Sequence, residues 1–162
     1  MWNGSGYLTM TRKASEVIER LQGKTLATAE SLTGGMIGAA LTAVPGASAV
    51  YKGGVVSYTN EIKHDVLGVE QDILDRYGAV SLWTAGAMAK GVRRLLKADI
   101  AVSVTGLAGP GGDEFGHKVG TVFIGFESQS KAITKEYRFA GDREAVRQQT
   151  VDAALQLILE NI

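Results

Sequence analysis

Lys24-Thr-Leu-Ala-Thr-Ala-Glu30-Ser-Leu-Thr-Gly-Gly35-Met-Ile-Gly38 holds a change of period from which the rest of the architecture can be read. Thr25 to Ala29 is short and β-tolerant, whereas Met36, Ile37, Ala40, Leu41 and Val44 recur at helical spacing, so strand gives way to helix at Ser31. A strand–turn–helix unit sets a side chain at the carboxyl end of a strand, beside the N–H groups a helix leaves unpaired and the positive end of its dipole. That place suits a nucleophile or an anion. Ser31 and Thr33 would serve equally well as helix caps, the commonest role of those residues at such a turn. Glu30 would orient a lysine or a ligand hydroxyl, or simply favour the helix N-terminus.

On either side of this stretch the chain continues to alternate. Ala14, Val17, Ile18 and Leu21 share one face of an amphipathic helix over 11–21, preceded by a start (residues 1–10) without periodic signal that is expected to be frayed. Pro45-Gly46 stops the helix that follows Ser31. Val50 to Tyr58 reads as a strand interrupted at Gly53-Gly54 by a bulge or a close backbone approach. Short helices are expected over 62–67 and 69–77, and a longer one from Ser81 with Leu82, Ala85, Met88, Ala89, Val92, Leu95 and Leu96 inward. Ala98 to Thr105 is apolar at nearly every position, as in a strand covered on both faces, and empties into the glycine-rich loop Gly106 to Gly116. Val119–Phe126 and Ala132–Phe139 form a late hairpin, and a last helix runs from Asp142 to Ile158. Together these predict a single domain over 11–162, a three-layer α/β/α sandwich with a mixed, mostly parallel sheet and a late antiparallel hairpin.

Composition narrows the function classes. The 162 residues carry 17 basic and 17 acidic side chains, so no bulk charge points to nucleic acid or to a membrane surface. There are no cysteines, which excludes disulfides, thiolate metal sites and a cysteine nucleophile. No apolar run approaches the ~20 residues of a membrane span and no secretory signal opens the chain, so the cytoplasm is the expected compartment. The apolar segments would permit a homo-oligomer.

The two glycine-rich turns, after Ser31 and after Thr105, both follow apolar strands. Parallel in one sheet, they would open at its carboxyl edge and wall one ligand site. Gly106 to Gly112 lacks the Gly-Lys-Ser/Thr ending of a P-loop, and Gly34-Gly35 is not part of G-x-G-x-x-G, which argues against ATP and dinucleotides. Ser31 is not in a G-x-S-x-G elbow, and the histidines His64 and His117 show no metal-ligand spacing. A lysine of lowered pKa can activate a serine, and Lys63, five residues after Tyr58, is a candidate against the alternative of a solvated surface lysine. Arg143 and Arg147, one helical turn apart, would grip a phosphate or form a solvated face.

Six pieces in order, Ala29-Glu-Ser-Leu-Thr-Gly-Gly35, Gly53-Gly-Val-Val-Ser-Tyr-Thr-Asn-Glu-Ile-Lys63, Met88-Ala-Lys-Gly91, Thr105-Gly-Leu-Ala-Gly-Pro-Gly-Gly112, Val119-Gly-Thr-Val122 and Phe139-Ala-Gly-Asp-Arg143, make the chain resemble the CinA C-terminal domain family. The resemblance runs from about Ala14 to the end. It implies a nicotinamide-nucleotide amidase, which hydrolyses the carboxamide of nicotinamide mononucleotide to nicotinic acid mononucleotide and ammonia. Many members carry an additional N-terminal molybdopterin-binding-like domain; the length of this chain leaves no room for one, so it resembles the stand-alone amidase. By the same resemblance Ser31 is the nucleophile, Lys63 its base and Tyr58 their neighbour. Glu30, Thr33, Gly34, Gly35, Thr105, Gly106 and Gly109 are expected on the substrate side, with Arg143 and Arg147 toward the phosphate. Backbone N–H groups of the Thr33 to Gly35 turn are expected to steady the oxyanion, and Lys63 or Tyr58 to protonate the amine. No metal or organic cofactor is required. Two departures from the family pattern stand out: Leu32 replaces the usual cysteine after the nucleophile, and His117-Lys118 replaces Lys-Pro, which puts in doubt the role of that lysine. The rival readings are a non-catalytic nucleotide-binding module and an amidase for another small amide.

Overall fold

In a computed structural model, which describes residues 4–162, the first two by backbone alone, the described chain folds into three layers. The first helix, α1 (Gly4–Arg20), begins well before the periodic segment. The irregular start expected over 1–10 is therefore helical from Gly4 on, and its first three residues lie outside the described residues. Strand β1 (Leu26–Glu30) leads through the Ser31 turn into α2 (Met36–Thr42). β2 (Tyr51–Val56), α3 (Asn60–Asp65), α4 (Gln71–Tyr77) and α5 (Leu82–Leu96) follow. β3 (Ile100–Gly106), β4 (Thr121–Glu127), β5 (Ala132–Arg138) and α6 (Arg143–Glu160) complete the order.

The five strands lie in the order β2-β1-β3-β4-β5. β1 pairs in parallel with β2 and β3, while β4 is antiparallel to both its neighbours. Four strands thus point one way and only β4 runs against them, as the mostly parallel sheet with a late hairpin requires.

Alternation along the strands sorts side chains between two cores. Leu26, Val102, Val104, Ile124 and Phe126 pack with Val17, Ile37, Leu41, Val151 and Leu155 of α1, α2 and α6. On the other face Ala27, Ala29 and Ala101 meet Met88 and Val92 of α5 and Leu74 of α4. Alanines there bring α5 close to the sheet.

The irregularity expected at Gly53-Gly54 is present in both forms. Leu26 pairs with Tyr51 but Ala27 with Gly53, so Lys52 is the extra residue of a bulge. A Cβ at Gly54 would collide with Thr28 Oγ1 and come within 2.9 Å of the Thr28 carbonyl oxygen.

Candidate active site

Because β1 and β3 are parallel neighbours, the turns that leave them open at the same edge of the sheet, where open α/β sheets bind ligands. Both turns line one cavity of about 300 Å³, together with Tyr58, Lys63, the Ala79-Val80 segment before α5, and Arg143 at the start of α6. Larger grooves of about 560 and 540 Å³ lie elsewhere on the surface and contain neither Ser31 nor Lys63.

Ser31 sits at the floor. Its N–H continues the β1–β3 ladder to the Val104 carbonyl at 3.1 Å, and its carbonyl accepts from Gly34 N–H at 3.1 Å to close the turn. Gly34 and Gly35, at φ 58° and 108°, occupy the left-handed region that side chains disfavour, which is why two glycines follow the serine so closely.

Lys63 comes from α3, whose N-terminus is capped by Thr59. Its side chain is fully buried. Nζ donates to Ser31 Oγ at 2.9 Å, to the Ser57 carbonyl at 2.7 Å and to the Tyr58 carbonyl at 3.4 Å. Burial disfavours the ammonium and lowers the pKa from 10.5 to about 8. A neutral amine held by the two carbonyls keeps its lone pair for the serine proton. Serine and lysine are thus hydrogen-bonded directly, with no relay through the Tyr58 phenol. That ring is 59% exposed at the mouth of the cavity, where its hydroxyl accepts from Arg143 Nη2 at 3.2 Å. Arg143 Nη1 also donates to the Gly109 carbonyl at 2.6 Å, so this guanidinium bridges the two walls.

Several residues expected on the substrate side do other work. The Glu30 carboxylate is buried behind the turn, accepting from Thr33 Oγ1 at 2.6 Å and from the N–H groups of Ile37 and Gly38 at 2.9 and 3.1 Å. It caps α2 from the preceding strand, and Thr33 is taken up with it. Gly34 and Gly35 shape the turn without lining the cavity, and the Gly34 N–H is already committed to the Ser31 carbonyl. Among the described residues, the N–H groups of Leu32, Thr33 and Gly35 meet no acceptor, and of these three residues Leu32 lines the cavity. Thr105 lines the cavity, but its hydroxyl donates to the Ala79 carbonyl at 2.6 Å and holds the opposite wall. Gly106 and Gly109 line the cavity. Arg147 is not at the cavity: Nε donates to the Leu32 carbonyl at 2.8 Å and Nη2 reaches the Thr33 carbonyl at 3.5 Å.

His117, where the family pattern has lysine, pairs with Asp113 at 2.7 Å and edges against Phe123. Burial raises the Asp113 pKa, but hydrogen bonds from the His117 ring and from the His117 and Phe115 N–H groups outweigh it, and the net shift is downward. The exchange thus gives the glycine-rich loop an internal tie. Sequence reasoning missed the Ser57 and Tyr58 carbonyls, the Ala79-Val80 wall and Leu32. Backbone acceptors carry no residue signature, and small apolar residues between two helices resemble any tight connection.

The family model of the CinA C-terminal domain matches residues 10–162. A Desulforamulus reducens protein named for competence-damage induction is 51% identical over 135 residues, covering 83% of this chain and 33% of its own. The chain spans about a third of the length of the curated relatives it matches. Among solved structures, competence/damage inducible protein CihA from Agrobacterium tumefaciens superposes with a TM-score of 0.91 at 37% identity, covering 99% of this chain and 97% of that one. A competence-damaged protein (CinA) superfamily member from Escherichia coli gives 0.94 at 34% identity, with 100% and 94% covered.

Proposed function

The chain belongs to the CinA C-terminal domain family, and given that membership we propose that it is a nicotinamide-nucleotide amidase working through a Ser31–Lys63 pair. The observation that carries the reading is the 2.9 Å contact between Lys63 Nζ and Ser31 Oγ at the floor of a cavity, with the lysine buried and its pKa lowered to about 8. A lysine that only served packing would leave its amine at the surface. The family resemblance supplies the substrate, the carboxamide of nicotinamide mononucleotide.

Ser31 Oγ gives its proton to neutral Lys63 and adds to the carboxamide carbon. The oxyanion is met by N–H groups of Leu32 and Thr33. As the C–N bond breaks, Lys63 returns the proton to the nitrogen and ammonia leaves. A water then attacks the Ser31 ester, losing its proton to Lys63; nicotinic acid mononucleotide departs and Ser31 is regenerated. Arg143, at the mouth and bonded among the described residues only to neutral oxygens, is the cation that meets the phosphate, with Tyr58 beside it.

Ammonia release separates this function from its rivals. Release from nicotinamide mononucleotide, with little from nicotinamide or other small amides, is the expected outcome. Saturable binding without release would support a nucleotide-holding module, and release from unrelated amides alone a different amidase.

A further inference from the structure

The turn carrying Ser31 is clamped from two sides by opposite charges. Glu30 gathers donors on one side, namely Thr33 Oγ1 and the N–H groups of Ile37 and Gly38. From α6, Arg147 gathers acceptors on the other, the carbonyls of Leu32 and Thr33. The guanidinium lies against the turn itself, since a Cβ at Gly34 would stand 3.7 Å from Nη2. The C=O and N–H of a trans peptide point in opposite directions. Fixing the Leu32 carbonyl toward α6 therefore turns the N–H of the same peptide, that of Thr33, away from α6. The Ser31 carbonyl is likewise fixed by Gly34 N–H, which orients the N–H of Leu32. Leu32 lines the cavity and Arg147 does not.

We propose that Arg147 is a positioning residue, which through the Leu32 carbonyl sets the Thr33 N–H of the Ser31 turn for the oxyanion of the Ser31 reaction, beside the Leu32 N–H that the turn's own Ser31–Gly34 bond orients, rather than binding the substrate's phosphate. The inference rests on the amidase reading in one respect, that Ser31 is the nucleophile. Two arginines one helical turn apart thereby take different roles, Arg143 meeting substrate and governing KM while Arg147 holds the donors and governs kcat. An arginine is suited to the second role because its planar fork meets two successive carbonyls, while a lysine presents a point charge to one.

The test uses two readouts on wild type, Arg147→Ala and Arg147→Lys. One is turnover of nicotinamide mononucleotide. The other is the rate at which a small neutral fluorophosphonate labels Ser31, a reaction that needs the nucleophile and its oxyanion donors but no phosphate site. For Arg147→Ala, kcat and the labelling rate constant are each expected to fall about a hundredfold, the cost of a lost oxyanion donor. KM and the pH midpoint stay within about twofold and 0.3 of wild type. Arg147→Lys is expected to recover about tenfold of both rates by restoring one contact. A raised KM with unchanged kcat and labelling would overturn the proposal in favour of a phosphate ligand. Equal losses in both variants that track a fall in Tm would overturn it in favour of a purely structural role; should Arg147→Ala not fold, Arg147→Lys carries the same comparison. A wild type that labels but does not deaminate the mononucleotide would remove the substrate reading alone, and one that does neither would remove the nucleophile and this inference with it.

Discussion

A lysine amine donates to Ser31 Oγ and to two backbone carbonyls, and on the proposed mechanism its charge state sets the pH dependence. Only the neutral amine accepts the serine proton. With the pKa lowered to about 8 by burial, kcat/KM is expected to rise about tenfold per pH unit below 8 and to level above it. A rise that continued toward 10.5, measured by ammonia release across pH 6 to 10.5, would mean an exposed, unperturbed base. Arg143→Ala tests the mouth. It removes the charge proposed to meet the phosphate and the bridge to Gly109 and Tyr58, so KM is expected to rise at least tenfold with kcat within a few-fold of wild type. Ser31, Lys63 and Arg143 were singled out in the sequence, the first from the change of period and the other two from their spacing to Tyr58 and Arg147, and the family resemblance supplied their expected roles. For Glu30 the helix N-terminus was one of the two readings its position allowed, whereas Thr33 and Arg147 were legible as positions but not as roles. Each lies beside the site in sequence and faces away from the cavity, and only the path of the backbone separates a residue that touches substrate from one that holds the turn.

At the scale of elements, α2 and the end of β1 form one hydrogen-bonded unit through Glu30. Glu30→Gln keeps the shape but sets an amide donor against backbone donors where the carboxylate accepted three bonds. Leaving a buried donor unmatched costs about 1–3 kcal/mol. Chemical denaturation is expected to show a loss in that range, and turnover to fall with it because the same bonds support the Ser31 turn; an unchanged midpoint would mean that α2 is held by packing alone. Gly54→Ala places a Cβ against Thr28 at the β1–β2 contact, and overpacking of this kind costs about 1–3 kcal/mol. Wild-type stability in that variant would show that the strands can separate freely. The bulge and the close approach were both readable from Gly53-Gly54 within a β run. The early start of α1 was not, because Gly4, Ser5 and Gly6 are poor helix formers and residues 1–8 show no periodic pattern.

For the whole molecule, a strand order that sets β1 beside β3 brings two distant turns together, and this was legible as soon as both were seen to follow buried strands. The wall between α4 and α5 was not legible, because Ala79 and Val80 reach the cavity through Thr105, a contact fixed only by packing α5 on the sheet. Housing Lys63 also shows in global stability. A lysine whose pKa is lower in the folded than in the unfolded chain releases its proton first on folding, so its burial costs stability below pH 8 and that cost fades as pH rises from 8 to 10.5. The full swing corresponds to about 3 kcal/mol. In denaturant titrations the stability of wild type relative to Lys63→Met is expected to increase with pH across that window, and a flat difference would mean the lysine is charged to the same degree in both states. Everything proposed for the site depends on Ser31 and Lys63 acting as one unit, and kcat for ammonia release from nicotinamide mononucleotide in Ser31→Ala, Lys63→Ala and the double variant measures this without intermediary. Each single change is expected to cost at least about a thousandfold and the double variant little more than either. A Lys63→Ala enzyme with near-wild-type kcat, or losses that multiply in the double variant, would contradict it.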